Sequence, residues 1–558
     1  MASLMQAEPW ARRSKRNPME QTVSPIIYRI RRIAAMLGRL QRLVVFGFEQ
    51  LVLVRLLERH RPIAESLTAA LLKTKHIDCH SPELFVADSS GQRDDWTHGF
   101  TAVNAALFLN LRNPDALSPW RHARPAPAFR AIYLWDSAFI AQVWKWWEPQ
   151  VAWEVLNAVI DGRDGARLQH YVSEFQRSTF TQPPLIAWSL DRLGEIVEPA
   201  RYADWIAQAY LPLQAYHRWL IAERRLSNGL YAWLHAYESG VENAPRFGDR
   251  EERRLRDTRT IAAPDLSSYM VLQCEALATM ALRLGKRNEA AAYQEEAHRL
   301  RDRINEFLWD EREGLYFDRD IATGAFIRSR AITSLLPLWA AAPDQRQAKR
   351  LVDHIVNPAA FNTLTPLPSV ALDDPAFERD MWRGPVWINT AYAVIEGLRR
   401  YGFHAAASDL AFRLCDGVYR TYGHTGRFHE FYDPTAHTIA HLHRKRGNRW
   451  KAITLGKSPV TDFVGWTGLV NTLVVETLIG VHVTTRGPAI RPRFPARAEG
   501  LRFCLTLPMW KLEIDLHVLH GGVTRGEVRG AFARSFEAEF GATIPLTTTQ
   551  HASTGAVA

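Results

Sequence analysis

The sequence predicts a mainly α-helical molecule, assembled from repeated helical hairpins and followed by a smaller β-rich segment. Three observations carry this. Segments with apolar residues three and four apart recur in pairs between short breaks. Long irregular inserts separate the pairs. After Val481 the pattern changes to apolar–polar alternation, as in Leu512 to Val518. Paired helices with few strands between them bury their apolar stripes on one another.

Taken in order, residues 1–24 are basic, hold Pro9 and Pro18, and have little to bury, which predicts a disordered tail. Residues 25–80 open with Ile26, Ile30, Ile33, Leu37, Leu40 and Val44 on one helical face and arginines on the other. The apolar run Val44–Val54 is interrupted by Gly47, Glu49 and Gln50. That falls short of the roughly 20 uninterrupted residues that a membrane span requires. The run also lies too deep in the chain for a signal peptide. Two placements stay open for residues 26–57: docking on the protein's own body, or peripheral contact with an anionic membrane surface. A cytoplasmic location, with or without that membrane contact, is the corresponding expectation.

Residues 81–481 form the expected helical domain. Its first part, to about residue 132, is rich in Pro and mixed in character, and reads as irregular. Helices are then predicted at Ala152–Asp161, Leu185–Glu195, Tyr202–Arg224, Leu266–Leu284, Asn288–Leu308, Ala331–Ala342, Gln345–Val356, Asn389–Tyr401 and Ala405–Thr421. The pair from 266 to 308 shows the pattern best: Gly285 ends one helix, and Ala297, Leu300, Ile304 and Phe307 continue the buried stripe of the next. Inserts at 225–264, 309–330, 357–388 and 422–465 hold the chemically unusual residues. Residues 482–542 form the β-rich appendage, and 543–558, rich in Thr, Ala and Ser, read as a second disordered tail.

Composition narrows the function classes. With 47% hydrophobic residues and 19 Trp among 558 residues, the chain can bury a large core and also present flat rings to flat ligands. Its four cysteines are scattered, which excludes a zinc ribbon and a C-x-x-C redox pair. Residues 1–62 carry twelve Arg or Lys against four Glu, so eight of the ten net positive charges sit there. The main body is near neutral and has no electrostatic footprint for nucleic acid.

Four stretches carry aromatics beside polar or charged side chains, Tyr133–Phe139, Tyr237–Phe247, Met381–Trp387 and Arg427–Pro434, and a fifth, Thr181–Pro184, carries polar residues and prolines. A sixth, Phe463–Thr467, opens a helix. This is the make-up of a pocket that stacks a sugar face and hydrogen-bonds its hydroxyls. Glu238 and Glu242 lie on a segment punctuated by Gly240, Asn243 and Pro245, too closely for regular structure, and a loop on a scaffold is where chemistry tends to sit.

In this order the stretches resemble the helical domain of glycoside hydrolase family 63 and its mannosylglycerate-hydrolase-like relatives, and more distantly the trehalases. The resemblance runs from Phe129 to Val481. It rests on Trp135-Asp136-Ser137, Gln182-Pro183-Pro184, Glu238 to Arg246, Asp265 to Tyr269, Trp382 to Trp387, Phe428 to Pro434 and Phe463 to Thr467. It implies an (α/α)6 toroid and an inverting glycosidase that needs neither metal nor cofactor and takes a small carbohydrate. In such an enzyme one carboxylic acid protonates the leaving oxygen while a carboxylate about 6.5–9.5 Å away activates water. Carried over residue by residue, the acid falls on Glu242 and the base on Glu430. Tyr133, Trp135, Asp136, Gln182, Glu238 and Asn243 fall in the substrate site. So do Arg246, Trp382, Arg383, Trp387, Tyr432 and Trp466.

The sequence departs from the family pattern twice. Where the family has Trp-Asp at the acid, this chain has Val241-Glu242, and a carboxyl displaced by about an ångström can lose on the order of a hundredfold in rate. The basic stretch His441–Trp450 also follows the base segment, as a solvated loop or as a rim that reads an anionic leaving group. The leading expectation is an enzyme that hydrolyses a small α-linked glycoside or short oligosaccharide. The alternative is a carbohydrate-binding or scaffold protein whose catalysis the Glu242 replacement has weakened.

Overall fold

The computed structural model describes residues 67–174, 176–248, 258–444, 455–484 and 487–546. The expectations for the tail at 1–24, the amphipathic helix at 26–57 and residues 547–558 lie outside the described residues. The helices are α1 (Ala69–Lys73), α2 (Asp94–Asn110), α3 (Leu134–Trp144), α4 (Pro149–Asp161), α5 (Ile186–Leu193) and α6 (Pro199–Arg224). They continue with α7 (Pro264–Arg283), α8 (Arg287–Leu308), α9 (Gln345–Ile355), α10 (Ile388–Arg400), α11 (His404–Thr425) and α12 (Leu469–Leu473).

Periodicity places every one of these from α4 to α11. Between α8 and α9, where it also predicts a helix, the chain forms a 3-10 helix over Ile332–Leu338 instead. Pro337 inside that segment lacks an amide N–H and clashes with the preceding turn, so α geometry cannot propagate.

The helices are of two kinds. In α3 all eleven residues are buried, and α7 and α10 are buried on almost every face. In α8 only Ala290, Tyr293, Ala297, Leu300, Ile304 and Leu308 are buried, a single stripe. The first kind belongs inside. The helices α3, α5 and α7, the 3-10 helix, α10 and α12 each pack on the next, and α12 returns to α3, so these six elements close a ring. Amphipathic helices lie against it: α4 on α3, α8 on α7 and α11 on α10.

Six strands make the main sheet: β1 (Glu83–Asp88), β2 (Gly91–Gln92), β3 (Arg502–Leu507), β4 (Leu512–Val518), β5 (Thr524–Gly530) and β6 (Arg534–Ala538). Their order is β6-β5-β4-β3-β1-β2, all antiparallel, with Val86 opposite Phe503 and Ile514 opposite Val528. The division at 481/482 is therefore not clean. Residues 83–92, assigned by sequence to the helical domain, complete the C-terminal sheet, because Leu84 and Val86 bury against it. A second correction concerns the C-terminal tail. Ile544–Pro545 pairs with Gly487–Ile490, and Ile544 and Leu546 are buried, so residues 543–546 are ordered despite the Thr- and Ala-rich composition around them.

Candidate active site

The chemically unusual stretches converge because of where they sit relative to the ring. Trp135 and Asp136 are in the first turn of α3, Gln182 lies just ahead of α5, and the segment 236–247 lies ahead of α7. Trp382 and Trp387 precede α10, and Phe463 and Trp466 precede α12. All therefore fall at the N-terminal ends of ring elements, on one side. Glu430 follows the C-terminus of α11, which runs back along α10 and so ends on the same side.

Together they line a cavity of about 340 Å³ that holds Glu242, Glu430 and Asp136. Its buried end is a cluster of indoles. Trp382 stacks on Trp387 with centroids 3.8 Å apart and 9° between planes, and Trp387 lies 5.5 Å from Trp466, which lies 5.5 Å from Trp135. Hydrogen bonds fix these rings: Trp387 Nε1 donates to the Met381 carbonyl at 2.9 Å, and Trp466 Nε1 donates to the Glu430 carbonyl at 2.8 Å. The second bond ties the wall directly to the residue that carries the carboxylate.

Two glycines let backbone approach where no side chain fits. Gly240 has φ +72°, and a Cβ there would collide with the Trp135 ring. A Cβ on Gly465 would sit 2.9 Å from an Asp136 carboxylate oxygen. The loop bearing Glu242 is thus pressed onto the Trp135 face, while the Phe463–Thr467 turn closes on Asp136.

Glu430 is buried, and its Oε2 accepts from Arg444 Nη2 in an ion pair. Arg444 is fully buried, and burial pushes its guanidinium down to about 10, with Glu242 and Asp380 opposing that shift. It stays charged at any physiological pH. The segment that carries it is knitted to the Trp382 segment: His443 N donates to the Arg379 carbonyl at 2.9 Å, and Met381 N donates to the His443 carbonyl at 3.2 Å. Next to Glu430, burial holds His429 down near 4, so that imidazole is neutral. The cavity thus brings together two glutamates, one of them held against a cation, within a low-dielectric aromatic enclosure.

Of the site residues expected from sequence, Tyr133, Trp135, Asp136, Gln182, Glu242, Trp382, Trp387, Glu430 and Trp466 line the cavity. Five others stand behind it. Glu238 accepts two bonds from Arg224, at 2.9 and 2.8 Å, and one from Leu234 N at 3.0 Å, which folds the loop. Asn243 accepts from Trp382 N at 2.8 Å and donates to the Asp380 carbonyl at 3.1 Å, clamping the Trp segment from behind. Arg246 bridges Asp265 and Asp318 at 2.5 and 3.0 Å. Arg383 pairs with Glu378 at 3.2 Å, and the Tyr432 hydroxyl accepts from His429 N at 3.1 Å. These side chains are spent on holding the wall, which a motif match cannot distinguish from contacting the ligand.

Sequence reasoning missed the outer wall: Phe129, His170, Tyr171, Phe180 and Tyr237, with Gln176, Ser178 and Thr179. A signal was present, since aromatics and His are dense from His170 to Phe180, directly ahead of Thr181-Gln182. The basic stretch read as a solvated or rim loop holds Arg444, which instead points inward at Glu430. Among the described residues, His217, Cys274 and Glu296 could hold a cation, their ligand atoms lying within 4.8 Å of one another. None of the three lines the cavity, and His217 already pairs with Glu296 at 3.2 Å.

The mainly helical fold and this cavity belong to a glycosidase, a hydrolase of O-glycosyl bonds. The family model of the mannosylglycerate hydrolase MGH1-like glycoside hydrolase domain matches residues 131–448, and the chain belongs to that family. A mannosylglycerate hydrolase of Thermus thermophilus is 30% identical over 374 residues, covering 54% of this chain and 88% of the relative. Mannosylglycerate hydrolase MGH1 of Selaginella moellendorffii is 27% identical over 373 residues, covering 54% and 75%. The crystal structure of a GH63 mannosylglycerate hydrolase from Thermus thermophilus in complex with glucose aligns at TM-score 0.56 and 26% identity, covering 67% of this chain and 99% of that one.

Proposed function

We propose that the chain is an inverting glycosidase on an (α/α)6 toroid, with Glu242 as general acid and Glu430 as general base, acting on a small α-linked glycoside or short oligosaccharide. The observation that carries this reading is that Glu242 and Glu430, from inserts far apart in sequence, line one aromatic cavity at one end of a closed ring of six elements. The indoles offer flat apolar faces to a sugar ring. Asp136 and Gln182 offer hydrogen-bonding groups to its hydroxyls. Glu430, ion-paired to a buried guanidinium, is favoured as the carboxylate and suits the base that takes a proton from water. Glu242 then supplies the proton to the departing oxygen, and the bond from water to the anomeric carbon forms as the bond to the leaving group breaks. The relatives' names and the glucose and D-glycerate held in the Thermus enzyme support a small-carbohydrate substrate.

The test is hydrolysis across α-glucosides, α-mannosides, trehalose and glycosylglycerates by the native enzyme, Glu430→Ala and Glu242→Gln. Each variant is expected to lose about 10²–10⁴ in kcat on whichever substrate the native enzyme cleaves. Saccharide binding without turnover of any panel member would instead favour a carbohydrate-binding protein.

A further inference from the structure

Away from the cavity, three side chains of metal-binding type meet between helices. His217 on α6, Cys274 on α7 and Glu296 on α8 each turn one donor atom toward a common point, and the ring nitrogen, the sulfur and the carboxylate oxygen all lie within 4.8 Å of one another. The fold puts them there, since α7 and α8 pack as a hairpin and α6 lies against α7. The His217 ring is held edge-on by Tyr293, also from α8, at 5.4 Å, and its Nε2 lies 3.2 Å from Glu296 Oε2. Tyr231 closes the same side, its hydroxyl acting on both Glu296 and Cys274. His217 and Cys274 are buried, while the Glu296 side chain is 22% exposed and opens the cluster to solvent, which gives an ion a way in.

The spacing suits zinc. With bonds of about 2.0–2.2 Å to nitrogen and oxygen and about 2.3 Å to sulfur, a tetrahedral Zn²⁺ holds its ligand atoms roughly 3.3–3.6 Å apart. His217 and Glu296 already stand at nearly that separation. Within the 4.8 Å limit, the thiol has at most about an ångström left to close, by turning about its Cα–Cβ bond. The charges balance as well. As the Zn–S bond forms, the thiol proton leaves to solvent, and one thiolate and one carboxylate then cancel the two charges of the ion beside a neutral imidazole. Thiolate, imidazole and carboxylate together suit zinc, and a thiolate is foreign to the oxygen shells that calcium and magnesium take. A plain His–Glu pair accounts for two of the three groups; the sulfur brought to the same point by a third helix carries the inference.

We propose that His217, Cys274 and Glu296 form a zinc site, with water completing the coordination, that ties α6 to the α7–α8 hairpin and takes no part in cleaving the glycosidic bond. The site stands or falls independently of the function proposed above.

The full chain, stripped with a chelator, is titrated with Co²⁺ as a spectroscopic stand-in and then with Zn²⁺. One equivalent of Co²⁺ is expected to bind, with a thiolate-to-cobalt charge-transfer band and visible bands of four-coordinate intensity, and Zn²⁺ is expected to bleach both. A hundredfold excess of Zn²⁺ over its Kd is expected to raise the melting temperature by about 2–5 °C. Cys274→Ser is expected to lose the charge-transfer band and to weaken Co²⁺ binding by more than about a hundredfold, and His217→Gln to weaken it comparably. Cys79→Ser and Cys504→Ser, at the part-exposed thiols, should keep the band. Melting of each metal-free variant checks its fold, and Glu296→Gln, at the solvent edge, gives the same test where a buried substitution does not fold. Absence of a charge-transfer band in the native chain, or Co²⁺ binding that persists undiminished in Cys274→Ser or Glu296→Gln, would mean an adventitious ion only and would overturn the inference.

Discussion

At the residue scale, the proposed division of roles between the two glutamates turns on Arg444, which is ion-paired to Glu430. A guanidinium in contact with Glu430 stabilises its ionised form, and one buried cation close to two acids favours the acid it touches. The carboxylates acting on it are Glu430, in contact, and Glu242 and Asp380, and His429 next to Glu430 is neutral. Replacing Arg444 by Met removes the stabilisation of the carboxylate, so the acidic limb of the kcat/KM profile is expected to move to higher pH. Arg444→Lys, which keeps the charge, should hold the limb near its native position while lowering kcat. An unmoved limb in Arg444→Met, with activity lost at all pH values alike, would make Arg444 a packing residue only. From sequence alone Glu430 can be picked because its type and neighbours match a known pattern, and Glu242 by its place in the Glu238–Arg246 stretch although the pattern has Trp-Asp there. Arg444 cannot, because a basic run is the usual mark of a solvated face, and only the pairing of His443 with Arg379 and Met381 turns this arginine inward.

At the element scale, the ring is held by one charged knot as well as by apolar packing. Beyond α12 the helix continues as a π turn over Val474–Ile479, which turns Glu476 inward. There it meets Lys145 at 2.6 Å, from the end of α3, and Arg192 at 2.9 Å, from α5, and it accepts from Trp146 Nε1 at 2.8 Å. Lys145 and Arg192 hold the Glu476 carboxyl down near 2, against the desolvation that would raise it. Its folded value lies below the unfolded value near 4.5, so its stabilisation is fully present above that pH and is lost as pH falls through about 2. Glu476→Gln leaves Lys145 buried without its counter-charge and is expected to cost about 3–5 kcal/mol in denaturant unfolding at pH 7. The deficit should shrink at pH 3, and an equal deficit at both would contradict the assignment. The elements most visible in the sequence are the amphipathic ones such as α8, whose polar face marks their period. Helices α2 and α3 are hidden for the opposite reason: buried on nearly every side, they carry no stripe to read.

At the scale of the whole molecule, the sheet and the ring are joined by a long-range pairing. Strand β1 lies in the stretch that reads as irregular from sequence; its Leu84 and Val86 turn inward, and its partner Arg502–Leu507 lies over four hundred residues on. Periodicity specifies an element and its buried face, not its neighbour, so a boundary drawn at 481 separates residues that share one sheet. The rest of the aromatic outer wall escapes for a similar reason, since Phe129, Tyr171, Phe180 and Tyr237 come from stretches that the fold brings together. The proposed function has the glycosidic bond cleaved in a single displacement, and the configuration of the freshly released sugar reports that step directly. Proton NMR during the first minutes of hydrolysis of an α-linked substrate, before mutarotation, is expected to show the β-anomer first, with the signal lost in Glu430→Ala. First appearance of the α-anomer would mean two displacements and a covalent intermediate, and would contradict the assignment of Glu430 as a base acting through water.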